Sequence, residues 1–249
     1  MKTVLITGCS SGFGLETAHH FLNQGWAVTA TMRKPDHTLL PASDHLKIVE
    51  LDITDPNGVS RVVQEAGSIN ALVNNAGVGW LNPFEGTSED NVRRIFETNV
   101  FGTLAVTRAV LPQMRAEKAG VIVNVTSSVT LKPLPLASVY TASKTAVNAF
   151  TECLALELEP FGVRAHLVLP GQAPTTRFGQ NAMALMAQAK DTPDDYAAFV
   201  AQVMGANRNT QGKKYTYAKD VTEAIWQAVI DPDSPMRIPA GKDSVALCA

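Results

Sequence analysis

The chain has 249 residues, which suits one α/β domain able to bury about 70–75% of the surface its unfolded form exposes. Hydrophobic residues make up 45% and charged residues 18%, an ordinary globular composition that argues against a disordered chain, and the formal net charge of -2 gives no electrostatic sign of a nucleic-acid or anionic-membrane partner. Cys9, Cys153 and Cys248 are scattered and odd in number, and His19, His20, His37, His45 and His166 lack ligand spacing, which argues against a disulfide framework and a zinc site.

Strand-like and helix-like patterns alternate from the start. Thr3 to Thr7 reads as a buried strand, Gly8 to Gly14 as a turn and Leu15 to Gln24 as a helix stopped at Gly25. Strands follow at Ala27–Thr31 and His45–Leu51, then a helix near Asn57–Ala66 and a strand at Ala71–Asn74. Ser88 to Lys118 is a long helical region, expected to be interrupted near Gly102 and at Pro112. Val121–Val125 is a strand, Ser138–Leu158 a long helix ending before Pro160 and Gly162, and Val163–Leu169 a strand. A helix at Asp220–Asp231 and a short strand at Ser244–Leu247 complete the pattern. Residues 172–216 break the rhythm and read as an inserted substrate lid of loop and short helix.

Apolar strands separated by helices of this length predict an α/β, doubly wound, mostly parallel Rossmann-type sheet in a single domain spanning 1–249. No run approaches the roughly 20 apolar residues of a bilayer span. Met1 to Ile6 passes directly into a strand without the layout of a secretion signal, so a cytoplasmic location is expected.

The turn Thr7-Gly8-Cys9-Ser10-Ser11-Gly12-Phe13-Gly14 lies at the first strand-to-helix junction, beyond a strand's carboxyl end, where such sheets bind ligands. Glycines permit close backbone approach to a pyrophosphate, and the helix start presents free N–H groups to it. A tight turn with incidental glycines is the structural alternative.

Further along stand Asn74-Asn75-Ala76-Gly77, Asn99, Ser127, Tyr140-Thr141-Ala142-Ser143-Lys144 and Pro170-Gly171. With the glycine turn, and in this order, they identify the chain as similar to the short-chain dehydrogenase/reductase family from Thr3 to about Pro239. The resemblance implies hydride transfer between a nicotinamide and a carbinol or carbonyl carbon. It implies that Gly8, Ser10, Ser11, Gly12, Phe13 and Gly14 cradle the cofactor. Asp52 and Ile53 would meet the adenine, and Asn75, Ala76 and Gly77 its ribose. Pro170, Gly171 and Thr175 would hold the carboxamide. Tyr140 would be the acid/base, Lys144 would bind the nicotinamide ribose, and Asn99 would support a water relay. Ser127, thirteen residues before Tyr140 and three after Asn124, matches the family's serine. Val129-Thr130-Leu131 lacks the expected glycine-bearing turn, which leaves Ser128 open as the alternative. The resemblance also implies a homodimer or homotetramer.

The chemistry asks for this set. A carbinol that gives up hydride must also lose its hydroxyl proton, and an unperturbed tyrosine with pKa about 10 is a poor base. Tyr140 and Lys144 are four residues apart on one helix face. A unit charge about 5 Å away at an effective dielectric near 20 is worth roughly 3 kcal/mol, or about two pKa units.

Strand two ends Thr31-Met32-Arg33-Lys34, with no acidic residue before Asp36 to bond a ribose 2′-hydroxyl. Arg33 is placed to meet a 2′-phosphate, and Ser11 to assist, so NADP(H) is expected over NAD(H). Trp80, Leu81, Leu134–Leu136 and the lid residues Phe178, Met183, Leu185, Met186, Tyr196, Phe199 and Met204 form an apolar set. That set predicts a small-molecule substrate, a bulky hydrophobic ketone or secondary alcohol of steroid-like or aromatic kind. Two alternatives stand beside it. One is reduction of a β-ketoacyl thioester docked through Arg177, Arg208, Lys213 and Lys214. The other is a non-catalytic NADP-sensing protein, which has no need of Ser127, Tyr140 and Lys144 together.

Overall fold

The computed structural model describes residues 1–187, 192–208 and 214–248. Lys213, the Arg208 side chain and parts of the expected lid lie outside them. Seven strands build the sheet: β1 Thr3–Ile6, β2 Ala27–Met32, β3 Leu46–Glu50, β4 Ala71–Asn74, β5 Gly120–Val125, β6 Val163–Pro170 and β7 Arg237–Ala240. Their order is β3-β2-β1-β4-β5-β6-β7, with every neighbouring pair parallel. The order reverses between β1 and β4, so a crevice opens beyond Ile6 and Asn74 at the carboxyl ends of these strands.

Residues along the central strands alternate between two cores. Val4 and Ile6 of β1 face one side with α1 (Gly12–Asn23) and α8 (Ala218–Ile230); there Phe21, Trp26 and Trp226 pack edge to face with centroids 5.0 to 6.0 Å apart. Leu5 faces the other side, with α2 (Pro56–Ala66), α4 (Thr103–Glu117) and α5 (Ser138–Leu158). Each such aliphatic chain, removed fully from water, contributes about 1.5–3 kcal/mol. The two layers fix where each strand ends, and therefore where the turns beyond them can place a ligand.

The expected interruption near Gly102 is present: α3 (Glu89–Phe96) runs into a π-helical turn over Glu97–Gly102 before α4 begins. Pro112 does not interrupt the chain as expected, because α4 continues through it to Glu117. The missing N–H and ring clash of one proline are offset where a helix lies against a core through Val106, Val110 and Met114.

Two expectations at the C-terminus are corrected. Ser244–Leu247 is not a strand but part of helix α9 (Lys242–Cys248), and the seventh strand lies earlier, at Arg237–Ala240. Pro239 masks that strand in the sequence; it is tolerated because β7 is the sheet's edge. Gly241, at φ 91°, then turns the chain into α9. The lid region holds α6 (Arg177–Met186) and α7 (Ala197–Arg208), more helix than expected.

Candidate active site

The glycine turn is braced from the neighbouring strand. Asn75, just past β4, donates from Nδ2 to the carbonyls of Thr7 at 2.9 Å and Gly8 at 3.1 Å. The Thr7 hydroxyl accepts the backbone N–H groups of Asn75 and Ala76 at 3.0 and 3.1 Å. Gly8 has φ 76°, and a Cβ there would lie 2.8 Å from Ala76 Cα. At Gly14 a Cβ would strike the Gly8 carbonyl and sit 2.5 Å from Asn75 Nδ2. Two glycines are thus required to bring the turn, α1 and the Asn75 segment together.

This crevice fits a dinucleotide. Ser11, the residue before α1, spends no side-chain hydrogen bond on the helix's own N–H groups, and the first turn holds no acidic residue. The positive end of α1 is left for an anion. Ser10 is exposed, and Phe13 packs half-buried on the core between the sheet and α1 and α8. Cys9 is fully buried, its thiol pushed up to about 12 by burial, which suits packing rather than nucleophilic chemistry.

Arg33 is exposed at the end of β2, and its positive charge acts on the Asp52 carboxylate. Asp52 lies below the ordinary carboxylate range, first because it accepts the Thr54 N–H, at 2.9 Å, and also because it accepts the Thr54 hydroxyl, at 2.8 Å. Asp52 therefore caps its own turn at the crevice rim. The Ile53 side chain points inward, buried against Gly102.

Tyr140 and Lys144 occupy one face of α5 and are both buried, 7% and 5% exposed. Burial pushes the Tyr140 phenol well above its ordinary range, and the polar Ser127 hydroxyl pulls the other way. Ser127 accepts the Val129 N–H at 3.3 Å, Ser128 lies in the following 3₁₀ turn, and of the two it is Ser127 that acts on the Tyr140 phenol. The Lys144 ammonium donates to the Val125 carbonyl at 3.0 Å, and burial pulls its pKa down to about 8. In the cofactor-free chain the lysine, at about 8, loses its proton before the phenol loses its own, so burial and Ser127 are what act on the phenol there.

Asn99 sits within the π-helical turn, and its side chain is committed: Oδ1 accepts the Val78 N–H at 2.8 Å, while Nδ2 donates to Val78 O and Ser143 Oγ. A Cβ at Gly77 would stand 3.2 Å from Asn99 Oδ1 and 3.4 Å from Lys144 Nζ, so Gly77 keeps the space between them open.

Pro170 closes β6, and Gly171 donates to the Thr216 hydroxyl at 2.9 Å. Thr175 is exposed, whereas Thr176 is buried and would lie 3.4 Å from a Cβ at Gly12. From Thr176, α6 runs over the site, with Phe178 and Tyr140 ring centroids 5.7 Å apart. Trp80, expected as a pocket wall, is only 2% exposed and donates from Nε1 to Thr87 Oγ1 at 3.0 Å; it supports Tyr140 from behind, in a cluster with Ile95 and Val139. Among the described residues no His, Cys, Asp or Glu group could hold a metal, and no helix is long and apolar enough to cross a membrane.

A doubly wound parallel sheet with a glycine-lined crevice at its switch point, and with a serine, tyrosine and lysine at its rim, defines a dinucleotide-dependent oxidoreductase architecture. The family model of the short chain dehydrogenases matches residues 2–185, and the chain belongs to that family. It is 32% identical over 245 residues to a 3-ketodihydrosphingosine reductase of Bacteroides thetaiotaomicron, covering 96% of this chain and 88% of the relative. It is 34% identical over 251 residues to retinol dehydrogenase 8 of Bos taurus, covering 95% and 80%. A short-chain dehydrogenase from Streptomyces avermitilis superposes with TM-score 0.83 at 31% identity, covering 99% of this chain and 90% of that one. The closed form of a serine dehydrogenase complexed with NADP+ superposes with TM-score 0.80 at 28% identity, covering 96% and 94%.

Proposed function

We propose that the chain is an NADP(H)-dependent oxidoreductase that moves a hydride between the nicotinamide and the carbon of a hydrophobic ketone or secondary alcohol. The observation that carries the reading is the buried pair of Tyr140 and Lys144 on one face of α5 beside the glycine crevice, with the Ser127 hydroxyl acting on the phenol. The cofactor supplies or accepts the hydride when bound. Gly8, Gly12 and Gly14 leave room for its pyrophosphate; Asn75, Ala76 and Gly77 flank it; Asp52 and the Ile53 backbone take the adenine side; Arg33 takes a 2′-phosphate. Gly171, Thr175 and Thr176 line the nicotinamide side.

The chain's own residues handle the proton. Tyr140, its pKa held up by burial, is protonated at neutral pH and donates to a carbonyl oxygen as the carbon gains hydride. In the reverse direction the same oxygen of Tyr140 receives the hydroxyl proton. Ser127 donates a second hydrogen bond to the substrate oxygen, fixing it against Tyr140. Lys144 holds the ribose side and sets the local charge. A water relay at Asn99 would share its carbonyl with the Thr103 hydroxyl, which donates to it at 2.9 Å. Relatives named for a ketone and for an alcohol support the reaction class, and a structural relative bound to NADP+ supports the cofactor. The apolar lid residue Phe178 against Tyr140 supports a hydrophobic substrate.

The test is Tyr140→Phe assayed with NADPH and a panel of hydrophobic ketones. Cofactor binding by fluorescence should persist within about threefold while turnover falls by at least 10²-fold, in line with general acid–base contributions. Turnover close to the parent's removes Tyr140 from the proton step. Activity confined to thioesters would replace the ketone reading.

A further inference from the structure

The inserted segment between β6 and α8 leaves and rejoins the body through one narrow neck. Its outgoing limb is Gly171–Gln172 and its returning residue is Thr216. Thr216 N donates to Gln172 O at 2.9 Å, and Gly171 N donates to Thr216 Oγ1 at 2.9 Å. Thr216 is completely buried. Across this neck lies a carboxylate from a distant part of the chain. Asp243, in the first turn of α9, accepts the Gln172 N–H at Oδ2 and the Thr216 hydroxyl at Oδ1, both at 2.6 Å. Ser244 beside it donates to Leu169 O at 2.6 Å, seating α9 on the end of β6.

We infer that Asp243 is a positioning residue: it clasps the two limbs of the lid's neck and thereby sets the nicotinamide-side segment that runs from Gly171 to Thr176 against Gly12. Three observations converge. A single carboxylate bonds both limbs, one from backbone and one from side chain, so neither limb shifts alone without leaving a charged acceptor short of a donor. The fit is exclusive, because a Cβ on Gly171 would collide with the Asp243 carboxylate and a Cβ on Gly241 would collide with Thr216. The segment leaving the neck reaches the site directly, since Thr176 lies against Gly12 and Phe178 over Tyr140. Asp243 touches none of the reacting groups, so its influence runs through Gln172 and Thr216.

The kinetic part of this inference rests on the oxidoreductase reading; the structural part does not. Asp243→Asn keeps the size but sets an amide N–H toward a donor, and Thr216→Val keeps the shape but removes the hydroxyl. Both are to be measured in the full chain by hydrogen exchange followed by mass spectrometry, and by steady-state kinetics with NADPH and a hydrophobic ketone. In each variant, exchange at peptides spanning 170–176 and 214–218 should accelerate about tenfold or more, with the sheet and α5 peptides unchanged. The ketone KM and the NADPH Kd should rise about tenfold with a smaller loss of kcat, and the double variant should be no worse than the poorer single one. Neck exchange at the parent rate in both variants overturns the clasp. So does exchange that rises uniformly over the whole chain while KM is unchanged, the signature of simple destabilisation. Altered neck exchange in a chain inactive with every ketone would uphold the clasp and sink the oxidoreductase reading instead.

Discussion

The Lys144 ammonium and the Val125 carbonyl oxygen are 3.0 Å apart, in a pocket that buries the lysine almost completely. An ammonium has three donors, and one carbonyl does not replace the water lost on burial. Burial therefore pulls the lysine down from an ordinary 10.5 to about 8. Below pH 8 the lysine is protonated folded and unfolded, so the folded state bears the full cost of the buried charge. Between pH 8 and 10.5 the unfolded state binds more protons, so this contribution to stability rises with pH. Lys144→Met removes the charge and is expected to stabilise the cofactor-free chain at pH 7 by about 3 kcal/mol. Its advantage over the parent should shrink as pH rises from 8 to 10.5. Urea melts of both proteins across that range check it, and a gap that stays constant with pH rules out the buried charge as the cause.

Beneath the site, a polar ladder crosses the core from α4 to α5. Asn74 Nδ2 donates to Thr107 Oγ1 at 2.9 Å and to Asn124 Oδ1 at 2.8 Å; Asn124 Nδ2 donates to Thr151 Oγ1 at 2.8 Å. The ladder joins adjacent strand ends just below the turns that carry Asn75 and Ser127. Asn124→Leu leaves one Asn74 amide N–H without an acceptor, while Asn74 keeps Thr107 and the Thr151 hydroxyl keeps the Val147 carbonyl at 2.6 Å. The expected loss is about 1–3 kcal/mol, the cost of one stranded group. Equilibrium denaturation measures it, and an unchanged midpoint would mean that the neighbours find new partners at no cost.

Much of this was legible in the sequence because it is local. The glycine turn follows β1 directly, Asn75 follows β4 directly, and Tyr140 and Lys144 are one helical turn apart, so spacing alone predicts their neighbourhood. Ser127 was legible by its distance from Tyr140, though only the contact between the two sets it apart from Ser128. The features that were missed depend on chain segments far apart. Asp243 meets Gln172 across 71 positions, and no motif marks it. The last strand was hidden by Pro239, a residue that a sheet interior would reject and an edge accepts.

The cofactor preference has a direct test at Arg33. Its exposed guanidinium stands at the end of β2 and acts on Asp52. A charge-assisted pair with a 2′-phosphate is worth about 1.5–3 kcal/mol, or roughly ten- to a hundredfold in affinity. Arg33→Asp should weaken NADPH by that factor and leave NADH within about threefold, as read by fluorescence titration with each dinucleotide. An equal loss for both would remove Arg33 from the phosphate site.

Phe178 tests the substrate reading. Its ring, on α6, meets that of Tyr140 tilted at 54° with centroids 5.7 Å apart, and it is 39% exposed. A partly exposed aromatic over the acid/base has apolar surface left to offer a ligand. A hydrophobic substrate entering between the lid and Tyr140 would bury the ring further, whereas a small polar ketone would not reach it. Phe178→Ala should therefore raise KM for a bulky apolar ketone about tenfold, the loss expected when about 1.5 kcal/mol of apolar contact disappears. The KM for a small polar ketone should move less than threefold, and kcat for both should stay within that range, because Ser127 and Tyr140 are untouched. Equal KM changes for both ketones would show that Phe178 packs the lid rather than the substrate, and the case for a hydrophobic substrate would lose its structural support.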